Sequence, residues 1–205
     1  MHVTVAAATP AEHAALSAWA DARGVKFSHI VLARGVMASQ PMLTARTAGT
    51  LGSVSRAADM LVAGLGEADF DVVRMKIEAS PHADGVPATA VEADALPAEF
   101  YFEHHVKLVL EPGADEAALV ALAVAHDAHV SRNARRSRSD GCVERFVTQR
   151  CRLVGRDEAG ERLGLLTAAL ADAGLEIASV EREYVVHDSA PAVDAGWIEA
   201  KGDKP

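Results

Sequence analysis

Two histidines stand in β-rich stretches of matching context, His2 in HVTV and His105 in EHHVKLVL, and each precedes a Thr-x-Arg tripeptide further along, Thr44 with Arg46 and Thr148 with Arg150. Imidazole is the side chain that exchanges protons near neutral pH. Hydroxyl, guanidinium and ammonium groups beside it suit the recognition of phosphate. Further charge is strung along the same kinds of segment: Arg74, Lys76 and Glu78 in RMKIE, Glu103 and Lys107 flanking His105, and Glu181 and Glu183 in EREY. The catalytic candidates are therefore His2 and His105. The ligand-binding candidates are Thr4, Thr44, Arg46, Arg74, Lys76, Glu78, Glu103, Lys107, Thr148, Arg150, Glu181 and Glu183, with Arg132 at the rim. No metal site or other cofactor is expected. Mg²⁺ held with a phosphate by Glu78, Glu103, Glu181 and Glu183 is the alternative, but carboxylates opposite arginines are more often ion pairs.

These residues are positioned by strands. Alternate side chains of a strand go to opposite faces, and one set is apolar throughout: Val3 and Val5, Leu43 and Ala45, Val73, Met75 and Ile77, then Val106, Leu108, Leu110 and Val147. That set must lie under helices, which forces the charged set onto the other face. Helices are read from a Thr9-Pro10 start with a stop at Gly24, from apolar spacing over 53–66, and again over 114–127 and 158–173.

The order βαββαβ reads twice. His2 and Ala14-Ala15-Leu16 recur as His105 and Ala117-Ala118-Leu119, Thr44 and Arg46 as Thr148 and Arg150, Glu78 as Glu183, and the spacing changes only between elements. The expectation is an α+β, internally duplicated ferredoxin-like fold, (βαββαβ)x2, with antiparallel sheets and helices on one face. Its parts are a first unit over 1–80, a linker over 81–100, a second unit over 101–188 and a tail over 189–205, whose Trp197-Ile198 pair packs back on the body. In such a unit the first and third strands are central and the fourth lies beside the first. If the two charged faces turn toward each other they enclose a polar cleft.

Composition narrows the function classes. A net charge of −9 argues against non-specific coating of double-stranded DNA, although Arg132, Arg135, Arg136 and Arg138 concentrate positive charge in SRNARRSRS. Apolar runs are too short to span a bilayer, and no signal peptide is read. A cytoplasmic, membrane-free protein is expected, with Cys142 and Cys151 as small apolar residues. Of the remaining histidines, His13, His29, His82, His104, His126, His129 and His187 are read as surface or loop residues.

The segments FEHHVKLVLEPG, SRNARRS, ERFVTQR and EREYVVHDS resemble a bacterial protein family of uncharacterised function whose members are sometimes mislabelled ankyrin. That resemblance covers most of the chain and implies no activity. MHVTV is similar to the hydrophobic-His-x-Thr-hydrophobic motif of the two-histidine phosphoesterases, in which two pseudo-symmetric lobes each give one motif to a shared cleft. By that resemblance His2 and His105 would be general acid and base. The second copy departs from it, reading His105-Val106-Lys107. Glu103-x-His105-x-Lys107 also resembles the ExExK strand of triphosphate tunnel enzymes.

The function expected is the binding of an anionic, phosphorylated small molecule or nucleotide in a charged cleft between the two units. The alternatives are a phosphoesterase using His2 and His105, and a non-catalytic structural or oligomerisation module, with homo-oligomers through a sheet edge.

Overall fold

The computed structural model describes residues 1–197. In chain order it contains β1 (His2–Val5), α1 (Pro10–Asp21), β2 (Lys26–Leu32), β3 (Ser39–Thr44), α2 (Leu51–Gly66), β4 (Val72–Ala79), α3 (Ala90–Asp94), β5 (Tyr101–Leu110), α4 (Glu116–Ala125), β6 (Ala128–Asn133), β7 (Val143–Arg152), α5 (Arg156–Asp172), β8 (Glu176–Asp188) and a short 3₁₀ turn over Pro191–Asp194. No helix among the described residues is long and apolar enough to cross a membrane.

The strands hydrogen-bond in the order β1-β3-β2-β6-β7-β5-β8-β4 and form a closed barrel. This corrects the expected duplicated ferredoxin-like α+β fold with open sheets and helices on one face. Alternation with a period of two is the same in an open sheet and in a barrel, so the pattern says nothing about edges. Closure removes the rows of unpaired N–H and C=O groups that an open sheet leaves at both ends.

The chain divides into two compact units. The first runs from Met1 to Ile77 and recruits the C-terminal stretch from His187. Within it β1 lies between β3 and β4, with His2 opposite Thr44 on one side and Lys76 on the other. Val3, Val5, Leu16, Ala20, Leu43 and Leu65 form its core. α1 starts with a capping box, in which the Thr9 hydroxyl accepts from the Glu12 N–H and the Glu12 carboxylate accepts from Thr9 N–H. Such a cap stabilises a helix start by about 1 kcal/mol. In the C-terminal stretch Trp197 is buried, while Ile198 and the rest of the tail lie outside the described residues.

The second unit spans Glu78–Val186. β5 is its central strand, paired along its whole length with β7 and from Tyr101 to Val109 with β8, where the register shifts between Lys107 and Leu108. Val106, Leu108, Leu110, Leu119, Val130, Val147, Leu166 and Leu170 pack beneath it. The stretch 81–100 carries α3, and its backbone does structural work at the start of α5. Gly155, the residue before that helix, has no side chain to cap it. The carbonyls of Pro87 and Ala88 instead accept from Arg156 N–H and Asp157 N–H at 2.9 and 3.4 Å. Glycine is required there, because a Cβ would stand 2.3 Å from the Ala88 oxygen.

Candidate functional site

In the second unit the charged set of β5 shares a face with alternate residues of β7 and β8. Register places Glu103 between Arg150 and Glu183, and His105 between Thr148 and Glu181. The side chains follow the register closely. Arg150 Nε donates to Glu103 Oε1 at 2.6 Å, with both side chains buried. His105 Nδ1 lies 3.0 Å from the Thr148 hydroxyl. Its Nε2 faces Glu103 Oε2 at 3.4 Å and Glu183 Oε2 at 3.5 Å. The ring is a quarter exposed, whereas Glu103 is 1% exposed. Glu181, although opposite His105 in register, is exposed.

Two residues further along β5 the character changes from acidic to basic. Lys107 Nζ pairs with Glu144 Oε1 at 2.6 Å, and Arg136 and Arg138 approach the same carboxylate at 3.8 and 4.0 Å. Arg138 also donates to Asp140, and those bonds hold the Asp140 carboxyl down, at about 2. Arg132, at the end of β6, is exposed. Glu144 was not among the residues singled out from the sequence. Its parity along β7, the same as that of Thr148 and Arg150, was the available signal.

His104 corrects an expectation. It is fully buried rather than on the surface or in a loop, with Nδ1 3.1 Å from Gln149 Oε1. Burial drives its pKa below the ordinary histidine value, a shift that the Gln149 hydrogen bond only partly offsets. Adjacent strand residues point to opposite faces, so one of the His104-His105 pair had to go inside.

In the first unit His2 Nδ1 lies 2.9 Å from the Thr44 hydroxyl, the same contact that His105 makes with Thr148. Thr4 is buried opposite Arg74 in register. Arg74 is itself buried, and three of its nitrogens are engaged by aspartates. Nε and Nη2 meet Asp188 at 2.8 and 2.5 Å, and Nη1 meets Asp194 at 2.7 Å. Gln40 donates to the other oxygen of Asp194 at 2.9 Å. Burial pushes the Asp188 carboxyl up, but the hydrogen bonds and charge of Arg74 outweigh it and hold the group below the usual carboxylate range. No sequence signal pointed to Asp188 or Asp194, which come more than a hundred residues after Arg74. Lys76 is buried and Glu78 is half-buried, both on β4. Arg46 is exposed just past β3, beside an open groove lined by Met1, Trp19, Arg23, Met60 and Leu61.

No family model, curated protein or solved structure matches this chain.

Proposed function

We propose that the second unit binds an anionic, phosphorylated small molecule or nucleotide on its charged strand face, with the anion at Lys107, Arg136 and Arg138. The observation that carries this reading is the convergence of those three cations on one carboxylate, Glu144. β5, the end of β6, the β6–β7 loop and the start of β7 together carry Lys107, Arg132, Arg135, Arg136 and Arg138 against Asp140 and Glu144, a local positive excess on a chain of net charge −9. At 3.8 and 4.0 Å the two arginines stand too far from Glu144 for hydrogen bonds. A phosphate can therefore meet Arg136 and the Nη1 of Arg138 without first breaking a bond to Glu144, while Arg138 Nε and Nη2 donate to Asp140. Several converging guanidinium and ammonium groups are the usual means of holding phosphate. His105, one alternate position from Lys107 on β5 and held by Thr148 of β7, is the group that would exchange a proton with the bound ester. The reading places the protein in the cytoplasm, where Cys142 and Cys151 remain thiols.

A thermal-shift screen of nucleotides and sugar phosphates in a chelator-containing buffer tests it. A ligand present at 100 times its dissociation constant adds about 2.7 kcal/mol. The expected hit weakens in the Arg136→Ala, Arg138→Ala double variant and weakens with added salt, because both arginines are exposed. A screen in which no phosphorylated compound stabilises the protein at millimolar concentration defeats this reading and leaves the oligomerisation module as the alternative.

A further inference from the structure

We propose that Glu103, His105 and Glu183 form a binding site for a divalent first-row metal ion of the Mn²⁺ or Zn²⁺ type. The three side chains offer two carboxylate oxygens and one imidazole nitrogen, all within 4.8 Å of one another. Such a mixed oxygen and nitrogen set suits these ions better than the all-oxygen shells preferred by Ca²⁺ and Mg²⁺.

The two nitrogen–oxygen separations fit a metal site better than a direct charge-assisted hydrogen bond. Nε2 of His105 stands 3.4 Å from Glu103 Oε2 and 3.5 Å from Glu183 Oε2. A charge-assisted hydrogen bond draws nitrogen and oxygen to about 2.7–2.9 Å. Bonds of about 2.0–2.2 Å from one tetrahedral metal instead put neighbouring ligand atoms roughly 3.3–3.6 Å apart, the edge of the tetrahedron. Both observed separations fall in that second range.

The ligands are also held from behind, as metal ligands are. Thr148 fixes the far nitrogen of the His105 ring at 3.0 Å, and Arg150 fixes the far oxygen of Glu103 at 2.6 Å. Partners of this kind set the orientation and basicity of the atoms that face the metal. Glu183 supplies the independent sign of a missing ligand. Its Oε2, the same atom that faces His105, is buried and has no hydrogen-bond partner among the described residues. A buried carboxylate oxygen without a partner is costly unless something positive meets it. All three residues stand on paired strands, β5 and β8, so the geometry does not depend on a loop.

This site does not require the phosphate reading to hold. If both hold, the ion takes His105 Nε2 and Thr148 takes Nδ1, so His105 is then a metal ligand and does not itself exchange a proton with the ester. Residues two apart on a strand are separated by roughly 6.8 Å, so an ion at His105 and the ammonium of Lys107 stand close enough to share one phosphate group.

The test uses the metal alone. Metal-stripped full-length protein is titrated with Mn²⁺ without phosphate, and the free ion is followed by electron paramagnetic resonance. A single saturable site is expected. Glu183→Gln, chosen because that side chain is partly exposed and its loss is tolerable to the fold, should weaken it at least about tenfold, and Thr148→Val, which removes only the supporting hydroxyl, by roughly 10–100-fold. Crystals soaked in Zn²⁺ should show anomalous signal between Glu103, His105 and Glu183. Absence of Mn²⁺ and Zn²⁺ binding at millimolar concentration overturns the proposal, as does binding that Glu183→Gln and Thr148→Val both leave intact. Because the phosphate screen is run with chelator and this titration without phosphate, either reading can fail alone.

Discussion

Replacing Arg74 by methionine keeps most of the side-chain volume and removes the charge that faces Asp188 and Asp194, whose side chains are 1% and 2% exposed. Breaking a buried pair by deleting one partner costs about 3–5 kcal/mol, since the surviving charge is stranded. The cheapest escape for the variant is to protonate one aspartate. At pH 7 that costs about 1.4 kcal/mol for each pH unit above the ordinary carboxyl value of about 3.9, or roughly 4 kcal/mol. At about pH 4.5 the same proton costs only about 0.8 kcal/mol. The parent protein behaves differently. Its Asp188 titrates below the ordinary range, so the stability from the pair is present above about pH 3.9 and is lost only as pH falls through the lower folded-state value. Arg74→Met should therefore be about 4 kcal/mol less stable than the parent at neutral pH, a fall in melting temperature of roughly 8–16 °C for a chain of this size. The deficit should shrink to about 1 kcal/mol near pH 4.5. Urea denaturation of both proteins at the two pH values measures this directly. A deficit of the same size at both, or one below about 1 kcal/mol at neutral pH, would refute the stranded-carboxylate argument.

Two further outcomes concern the second unit. Folded His104 resists protonation because it is buried, so the unfolded chain binds more protons below about pH 6.5. Stability should fall there by up to about 1.4 kcal/mol per pH unit until the folded-state pKa is reached. His104→Asn should flatten the urea midpoint across that window, and an unchanged slope would place the titrating group elsewhere. Gly155→Ala forces a Cβ to 2.3 Å from the Ala88 oxygen and should cost about 1–3 kcal/mol in denaturant unfolding. A neutral substitution would show that the 81–100 stretch does not cap α5.

What could be read from the sequence was local and periodic. Strand parity put His105 with Thr148 and His2 with Thr44 before any coordinates, because pairing of the central strands turns a sequence register into contacts. The Thr9-Pro10 helix start was legible for the same reason, as its capping atoms lie within one turn. Closure of the barrel was not, since every strand alternates identically whether or not its outer edge finds a partner. Nor were the partners of Arg74. Asp188 and Asp194 come from the far end of the chain, and no short-range pattern links them to RMKIE. Cations that looked alike in sequence therefore separate in the structure: Arg74 is enclosed by aspartates, while Arg136 and Arg138 remain at the surface.

The recruitment of the stretch from His187 into the first unit bears on how the protein is made. Domains usually fold in order from the N-terminus as synthesis proceeds at about 5–20 residues per second. Here the unit begun first is finished last. Residues up to Ile77 leave the ribosome with Arg74 still lacking both aspartates, and the whole of Glu78–Val186 is synthesised before Asp188 and Asp194 exist. At those rates the delay is on the order of 5–20 s. During it the later-made unit, whose residues are contiguous, can fold first. A chain cut short before His187 would leave the earlier unit without the two aspartates that meet Arg74 in the finished fold.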